Sequence, residues 1–384
     1  MRYLAAFVLA LLPLLAVLGL WRRVSRERLL PRGLIAGAVG AGAAAGGAAV
    51  WFERLVLGWT GLSFEASVAG AGSALLAQFA LAAPLEEGLK VLVVWPLYTA
   101  RRIMSPLLGS MYAVAVAAGF ASAEAATLAI LDGAAGLSIA RLCVALPAHL
   151  FFAGFWGYAL GSGRSVRGTW FSLTWLVAML LHGLYDHIVF GRGPGLLVLT
   201  LPLLLFMALA AWLALREVAP QPDSVPSSPS SFSPLLAGLP EPPSLGAMRQ
   251  ALQRTDRPLM LHWIAIGALV TIGVMIALVA LAVFVGHRIG IDFAMADEAD
   301  VRSSAPLALL GVAVLAAFPI AGYLVARASA AHGVLEPAMA AGIAIVLVIV
   351  MLSVTAPIAV VFALAVAPVA FALACGGAWF GLER

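Results

Sequence analysis

Charged residues are scarce in this chain. Only 10% of its 384 residues are charged and 63% are hydrophobic, with a mean hydropathy of +1.06. Soluble domains carry about 25% charged residues, so an ordinary soluble protein is excluded. The net charge of +4 comes from basic residues scattered at the ends of apolar runs, and we therefore expect no nucleic-acid partner. The composition predicts an all-α, polytopic integral membrane bundle in a lipid bilayer.

Cysteine is also scarce, and the common zinc-binding motif His-Glu-x-x-His is missing. The two cysteines, Cys143 and Cys375, both lie inside apolar runs far apart in the sequence. We interpret them as small buried apolar residues rather than as a structural disulfide. No His-Glu-x-x-His helix is present, which excludes an ordinary zincin site.

Long apolar runs predict about eleven transmembrane spans, each of about 20 residues or more. The N-terminal run has no small-residue cleavage pattern and precedes a basic segment, so we interpret it as a retained span. Placing the N-terminus outside and the C-terminus in the cytoplasm puts nearly every arginine-rich loop on the cytoplasmic side. Glu53 and Arg54 then fall in an outer loop. The predicted spans are 3–20, 33–51, 68–98, 107–131, 139–161, 169–190, 194–215, 260–286, 305–328, 337–355 and 357–376.

A Pro/Ser-rich stretch divides the chain. Such a composition cannot bury a core and predicts a flexible linker. We predict a seven-span catalytic unit at 1–217, a cytoplasmic linker at 218–259, and a four-span unit of unknown role at 260–384. No clear internal repeat relates the two membrane units.

Ionisable residues at membrane depth are concentrated in the N-terminal unit. Each is costly to bury, by about 2.5–3.5 kcal/mol on insertion scales, and by default marks function. At about 1.5 Å per helical residue, the members on four different predicted spans fall in one narrow layer near or slightly beyond the mid-plane. The set comprises Glu86, Glu87, Lys90, Glu124, His149, His182 and Asp186.

Spacing within these helices predicts pairs. Either Glu86 or Glu87 is one turn from Lys90, so one carboxylate can neutralise the lysine and leave the other free. His182 and Asp186, four residues apart, share one helix face. Each group alone also fits a purely structural role, such as a lock between helices. His187 faces away from His182 and is interpreted as lining or structural.

Three functions suit such a layer: hydrolysis, proton or ion translocation, and binding of a polar headgroup. Hydrolysis needs a glutamate that takes a proton from water and histidines that hold the water or the oxyanion. The same residues can instead hold Zn²⁺, which activates a bound water. The residues alone leave the metal-dependent and metal-free mechanisms open.

Four ordered motifs on consecutive predicted spans resemble those of the PrsW family of bacterial intramembrane proteases, which is related to the CAAX prenyl endopeptidases and bacteriocin-processing enzymes. They are "EEGLK" (86–90), "FASAE" (120–124), His149, and "HGLYD" (182–186). Each motif is short, but their order makes the signal specific. The resemblance covers residues from about 30 to 215 and excludes the linker and the last four spans.

The resemblance implies a role for each motif residue. Glu86 is the implied general base, with Glu87 beside it and Lys90 as the partner. His182 and Asp186 match the motif near the oxyanion, and His149 is the additional family histidine. A candidate metal set is Glu124, His149 and His182.

We therefore expect an intramembrane endopeptidase of a bacterial inner membrane. It would cleave a membrane-protein substrate in regulated proteolysis, of the anti-sigma-factor type. The alternative is a proton- or ion-coupled transporter. The C-terminal unit has no polar layer that matches the one in the N-terminal unit, which is evidence against a transporter. A third interpretation is a catalytically silent scaffold whose C-terminal spans bind a partner.

Overall fold

The computed structural model describes residues 31–132, 135–162, 170–191, 200–218, 243–252, 259–291, 305–329, 333–355 and 357–382, with residues 15, 17 and 19 besides. All regular structure in these residues is helical, as predicted. The first predicted span, 3–20, lies outside the described residues except for those three positions. Seven of the described helices are long and apolar enough to cross a membrane. The chain is thus a multi-pass membrane protein.

The described helices form two compact units. The N-terminal unit contains α1 to α7 and most of α8, and the C-terminal unit contains α9 to α13. The N-terminal helices are α1 (Arg32–Thr60), α2 (Ala66–Ala69), α3 (Ala71–Leu75), a π-helical segment (Leu76–Ala82), α4 (Ala83–Thr99), α5 (Pro106–Asp132), α6 (Ala135–Gly161), α7 (Trp170–Gly191) and α8 (Thr200–Val218). The C-terminal helices are α9 (Leu245–Leu252), α10 (Leu261–Arg288), α11 (Ala305–Ser329), α12 (Leu335–Thr355) and α13 (Pro357–Gly381).

Helix α5 is the central helix of the N-terminal unit, packed between α1 and α6. It is almost fully buried from Met111 to Ser122. Glycines allow its close approach to α1, since a Cβ built on Gly119 would lie 1.9 Å from the carbonyl oxygen of Val39. Small residues permit such backbone contact between membrane helices, where dispersion forces rather than the hydrophobic effect hold helices together.

Replacing Gly119 by alanine is therefore expected to destabilise the N-terminal unit by about 1–3 kcal/mol, because the added methyl group forces α1 and α5 apart. Unfolding of the detergent-solubilised protein measures the change. The matched control is Gly47→Ala, on α1, where an added Cβ would meet nothing within 4 Å. Equal stability of the two variants would contradict the close packing of α1 on α5.

Two predicted boundaries in this unit are wrong. Helix α1 does not end near residue 51 but continues to Thr60, where Gly61 caps it with a φ of +70°. Glu53 is therefore a buried helical residue and not part of an outer loop. Apolar residues beyond the Glu53–Arg54 pair let the helix continue, and only a left-handed residue such as Gly61 ends it.

The predicted span 68–98 is interrupted at its start. Gly70 has a φ of +85°. Glycine adopts this backbone conformation readily, but it is incompatible with an α-helix, so α2 and α3 are separate helices. From Ala71 the chain is helical to Thr99, with π-helical pairing over Leu76–Ala82. The Gln78 side chain fixes this segment, because its amide donates to the Phe64 carbonyl (2.8 Å) and its carbonyl oxygen lies 2.7 Å from His187 Nδ1.

The C-terminal unit is a second helical cluster, described here by itself. Helix α11 packs against α10 and α13, and α12 packs against α10 and α13. A Cβ on Gly377 would lie 1.9 Å from the Pro319 carbonyl oxygen, so α11 and α13 also approach through small residues. The short helix α9 packs Met248, Ala251 and Leu252 against a cluster that includes the buried, free Cys375. The side chain of Cys143 lies outside the described residues.

Candidate active site

The predicted polar residues form one connected cluster inside the N-terminal unit. Helix α4 carries Glu86, Glu87 and Lys90, helix α5 carries Glu124, and α6 carries His149. Helix α7 carries His182 and Asp186. Six of the seven side chains are buried, and Glu124 is half-buried. The π-helical segment precedes Glu86 by only a few residues; such segments are often found at functional sites.

Glu87 is the most completely bonded member of the cluster. Its Oε1 accepts from Lys90 Nζ at 2.8 Å and lies 2.9 Å from His182 Nδ1, and its Oε2 accepts from Trp156 Nε1 at 2.8 Å. These contacts join α4, α6 and α7. Glu87 is therefore the anchor that fixes the positions of the lysine and the histidine.

Glu86 presents the opposite situation. Its Oε2 is buried and has no hydrogen-bond partner among the described residues. The nearest polar atoms are Lys90 Nζ at 3.5 Å, His182 Nε2 at 3.6 Å and His149 Nδ1 at 3.7 Å. A buried polar atom without a partner is unfavourable, so this oxygen is held in a position where a small ligand would complete its contacts.

Lys90 is the only lysine of the chain and its side chain is fully buried. Besides Glu87, its ammonium lies 2.9 Å from His149 Nδ1 and 4.5 Å from the centre of the Phe120 ring. An ammonium can only donate, so Nδ1 of His149 accepts and the neutral ring carries its proton on Nε2. That Nε2 lies 3.1 Å from Glu124 Oε2, although without hydrogen-bond geometry.

His182 is oriented by contacts on both sides of its ring. Its Nδ1 faces Glu87, so Nε2 is directed toward Glu86 and Asp186, with 3.6 Å to an oxygen of each. Phe152 stacks on the ring at a centroid distance of 4.9 Å. A histidine that donates one N–H to a carboxylate presents its other nitrogen in a fixed direction, as metal-binding histidines do.

One group of side chains has the separation that a metal ion requires. Ligand atoms of Glu86, His149 and His182 all lie within 4.8 Å of one another. One carboxylate and two imidazoles form a common catalytic ligand set for zinc, and the unpartnered Glu86 oxygen fits a ligand role. The candidate sequence-based set had Glu124 in place of Glu86. Lys90 contacts His149 Nδ1, so a metal bound at that atom competes with the lysine.

Several residues at the site were not predicted from the sequence. Trp156 lies seven residues, or two helical turns, after His149, and this spacing was an available signal. Phe120 and Phe152 contact the histidine rings. Gln78, which contacts His187, gave no signal in the sequence, because its partner is more than one hundred residues away.

These observations define a multi-pass membrane protein whose described regular structure is helical, with a buried Glu/Lys/His/Asp cluster in its N-terminal unit. Residues 30–213, just under half of the chain, match the profile of the PrsW family intramembrane metalloproteases. The resemblance given by the four motifs is thereby confirmed.

A curated relative supports the same family. The chain is 28% identical over 113 residues to Protease PrsW of Halalkalibacterium halodurans (strain ATCC BAA-125 / DSM 18197 / FERM 7344 / JCM 9153 / C-125). That alignment covers 29% of this chain and 51% of the relative, so the chain spans about half the length of the relative. No solved structure matches the chain.

Proposed function

We propose that this protein is an intramembrane endopeptidase in which Glu86 takes a proton from the water that attacks the peptide bond. The observation that supports this most directly is the buried Glu86 oxygen without a hydrogen-bond partner, within 3.7 Å of two histidine nitrogens. A general base must lie within hydrogen-bond reach of the water that it activates, and Glu86 Oε2 makes no hydrogen bond within the described residues that would compete with such a water.

The neighbouring residues have distinct proposed roles. Glu87 holds His182 through Nδ1 and favours its charged imidazolium, as the carboxylate of a catalytic triad does. Without a bound metal ion, protonated His182 then donates from Nε2 to the oxyanion that forms on the substrate carbonyl. Lys90 keeps Glu87 ionised and in place, so that Glu86 is the carboxylate left for chemistry. Glu124 and Asp186 border the histidines and help to hold the water.

In an alternative arrangement, a divalent ion such as zinc fits the group of Glu86, His149 and His182, and these three residues would hold it as ligands in place of the base and oxyanion roles of Glu86 and His182. When bound, such an ion lowers the pKa of a water and polarises a carbonyl group. Binding to His149 Nδ1 requires the lysine ammonium to give up that contact. Glu124, beside Nε2 of the same ring, is then the carboxylate positioned to orient His149.

Metal analysis tests this ligand set. We expect about one zinc per purified wild-type chain and little or none in His182→Ala, because two ligands hold the ion much less tightly than three. Elemental analysis, run beside cleavage of a fluorogenic membrane peptide, provides the measurement. His287→Ala, an exposed histidine of α10, is the control and should keep the metal.

Two outcomes contradict the metal part of the proposal. Zinc retained in His182→Ala would exclude the ligand set. Cleavage without metal, still dependent on Glu86, would establish a metal-free glutamate-base hydrolase. Glu124→Gln in the same series shows whether Glu124 is a ligand or a residue that orients His149. Loss of most of the metal would make Glu124 a ligand, and retention of most of it would leave Glu124 with the orienting role.

The substrate and the topology complete the proposal. We propose eleven spans with an outer N-terminus and a cytoplasmic C-terminus in a bacterial inner membrane. The division into 1–217, 218–259 and 260–384 remains a prediction. The substrate is proposed to be a membrane protein cleaved near the outer face in regulated proteolysis, such as an anti-sigma factor. A reporter enzyme that works only in the cytoplasm should be active when it is fused within 218–259, and a reporter that works only outside the cytoplasm should be inactive there.

A further inference from the structure

A fifth carboxyl group, that of Glu53, is buried in α1 beside the candidate active site. Its side chain is 8% exposed, and its Oε1 has no hydrogen-bond partner among the described residues. Glu53 interacts electrostatically with Glu86, Glu124 and Asp186. A buried carboxyl group needs a hydrogen-bond donor or a cation to offset its lost hydration. The Glu53 Oε1 therefore lacks the donor or cation that would offset its burial.

Helix packing fixes where Glu53 lies along the site. Helices α1 and α5 pack in parallel, because Gly42 lies against Val116 and Gly46 against Phe120. Continuing that register places Glu53 opposite residue 127, three residues past Glu124. This separation is about 4.5 Å along the helix pair. In the proposed topology, Glu53 therefore lies on the outer side of the catalytic carboxylates.

Carboxyl groups outnumber their cationic partners in this layer. Among the described residues, Glu53, Glu86, Glu87, Glu124 and Asp186 lie around Lys90 and His182, and Glu87 already contacts both of these partners. A metal at Glu86, His149 and His182 would still leave Glu53 and its neighbours without a cation. The described metal-capable group does not include Glu53, so a second ion is not favoured. A cation that arrives with the substrate fits this wider spacing better.

We propose that Glu53, which lies near Glu124 and Asp186, recognises a lysine or arginine side chain of the substrate on the outer side of the scissile bond. This inference rests on the proposed protease function. Glu53 acts in recognition, and Glu86 acts on the peptide bond. The ion pair forms in a water-poor site, where charge-assisted hydrogen bonds are stronger than neutral ones.

Matched peptide pairs test the proposal. Any fluorogenic transmembrane peptide that the wild type cleaves is made with either lysine or glutamine, in turn, at each of the first four positions on the outer side of the cleaved bond. We expect kcat/KM to favour lysine by about tenfold or more at one position. In Glu53→Gln this lysine-to-glutamine ratio should fall to near one, while Glu53→Asp should retain part of it. Glu65→Gln, an exposed carboxyl group on the same side, should keep the wild-type ratio.

The ratio compares two substrates on the same sample, so partial unfolding of a variant changes both rates and leaves the ratio unaffected. A wild-type ratio near one at all four positions would overturn the proposal, and so would an unchanged ratio in Glu53→Gln. Both results leave Glu86-dependent cleavage, and thus the protease function, intact. Failure of the wild type to cleave any peptide in a Glu86-dependent manner would instead overturn the proposed function itself.

Discussion

Glu86→Gln should reduce peptide cleavage by about 10²–10⁴-fold, the contribution typical of a general base. Glutamine has the same shape as glutamate but cannot take a proton from water. The fold should survive, because the Glu86 Oε2 makes no hydrogen bond that the substitution removes. Cleavage of a fluorogenic transmembrane peptide in liposomes, with unfolding followed on the same preparation, measures both effects.

The interpretation of this variant depends on its controls. Glu65→Gln makes the same chemical change at an exposed position and should leave cleavage unchanged. Glu87→Gln should lower both cleavage and stability, since Glu87 bonds to Lys90, His182 and Trp156. If Glu86→Gln keeps full cleavage activity, Glu86 is not the base, and proton-coupled flux in liposomes then becomes the experiment to run.

Lys90→Ala should destabilise the N-terminal unit by about 3–5 kcal/mol, as removal of one partner of a buried ion pair does. The lysine is fully buried, 2.8 Å from Glu87 Oε1 and 3.5 Å from Glu86 Oε2. Its loss leaves two buried carboxylates without their cation. Unfolding in a detergent titration measures the change in the free energy of unfolding.

A double variant separates charge from packing. Lys90→Met with Glu87→Gln removes both charges while keeping the approximate volumes, so it should be more stable than Lys90→Ala. Lys90 is the only lysine, so any lysine side chain that an amine-reactive reagent modifies must be Lys90. Because Lys90 is fully buried, the modification should occur only after unfolding. Wild-type stability of Lys90→Ala, or rapid modification of Lys90 in the folded protein, would contradict its burial in an ion pair.

Much of the helical architecture was predictable from hydropathy. The predicted span 107–131 corresponds to α5 (Pro106–Asp132), and 305–328 corresponds to α11 (Ala305–Ser329). A helix that crosses a bilayer satisfies its backbone hydrogen bonds internally and presents apolar side chains to lipid, so its signal is local. Predictions failed where a polar residue was buried by other helices, as at Glu53, or where a glycine interrupted the helix, as at Gly70.

The candidate site shows the same division. The sequence alone indicated which residues to propose for the chemistry, because ionisable side chains in apolar runs are conspicuous and their motif order is specific. It also determined that Glu86 and Glu87 lie within reach of Lys90, since helical spacing is a local property.

Only the tertiary structure decided which partners each of these residues has. Glu87 binds the lysine, His182 and Trp156, whereas Glu86 keeps an oxygen without a hydrogen bond. Both glutamates lie about one helical turn from Lys90, but the partners that distinguish them come from α6 and α7. The burial of Glu53 beside the site is likewise a result of the packing of α1 on α5. Contacts between distant helices depend on the packing of whole faces, which no local pattern in the chain encodes.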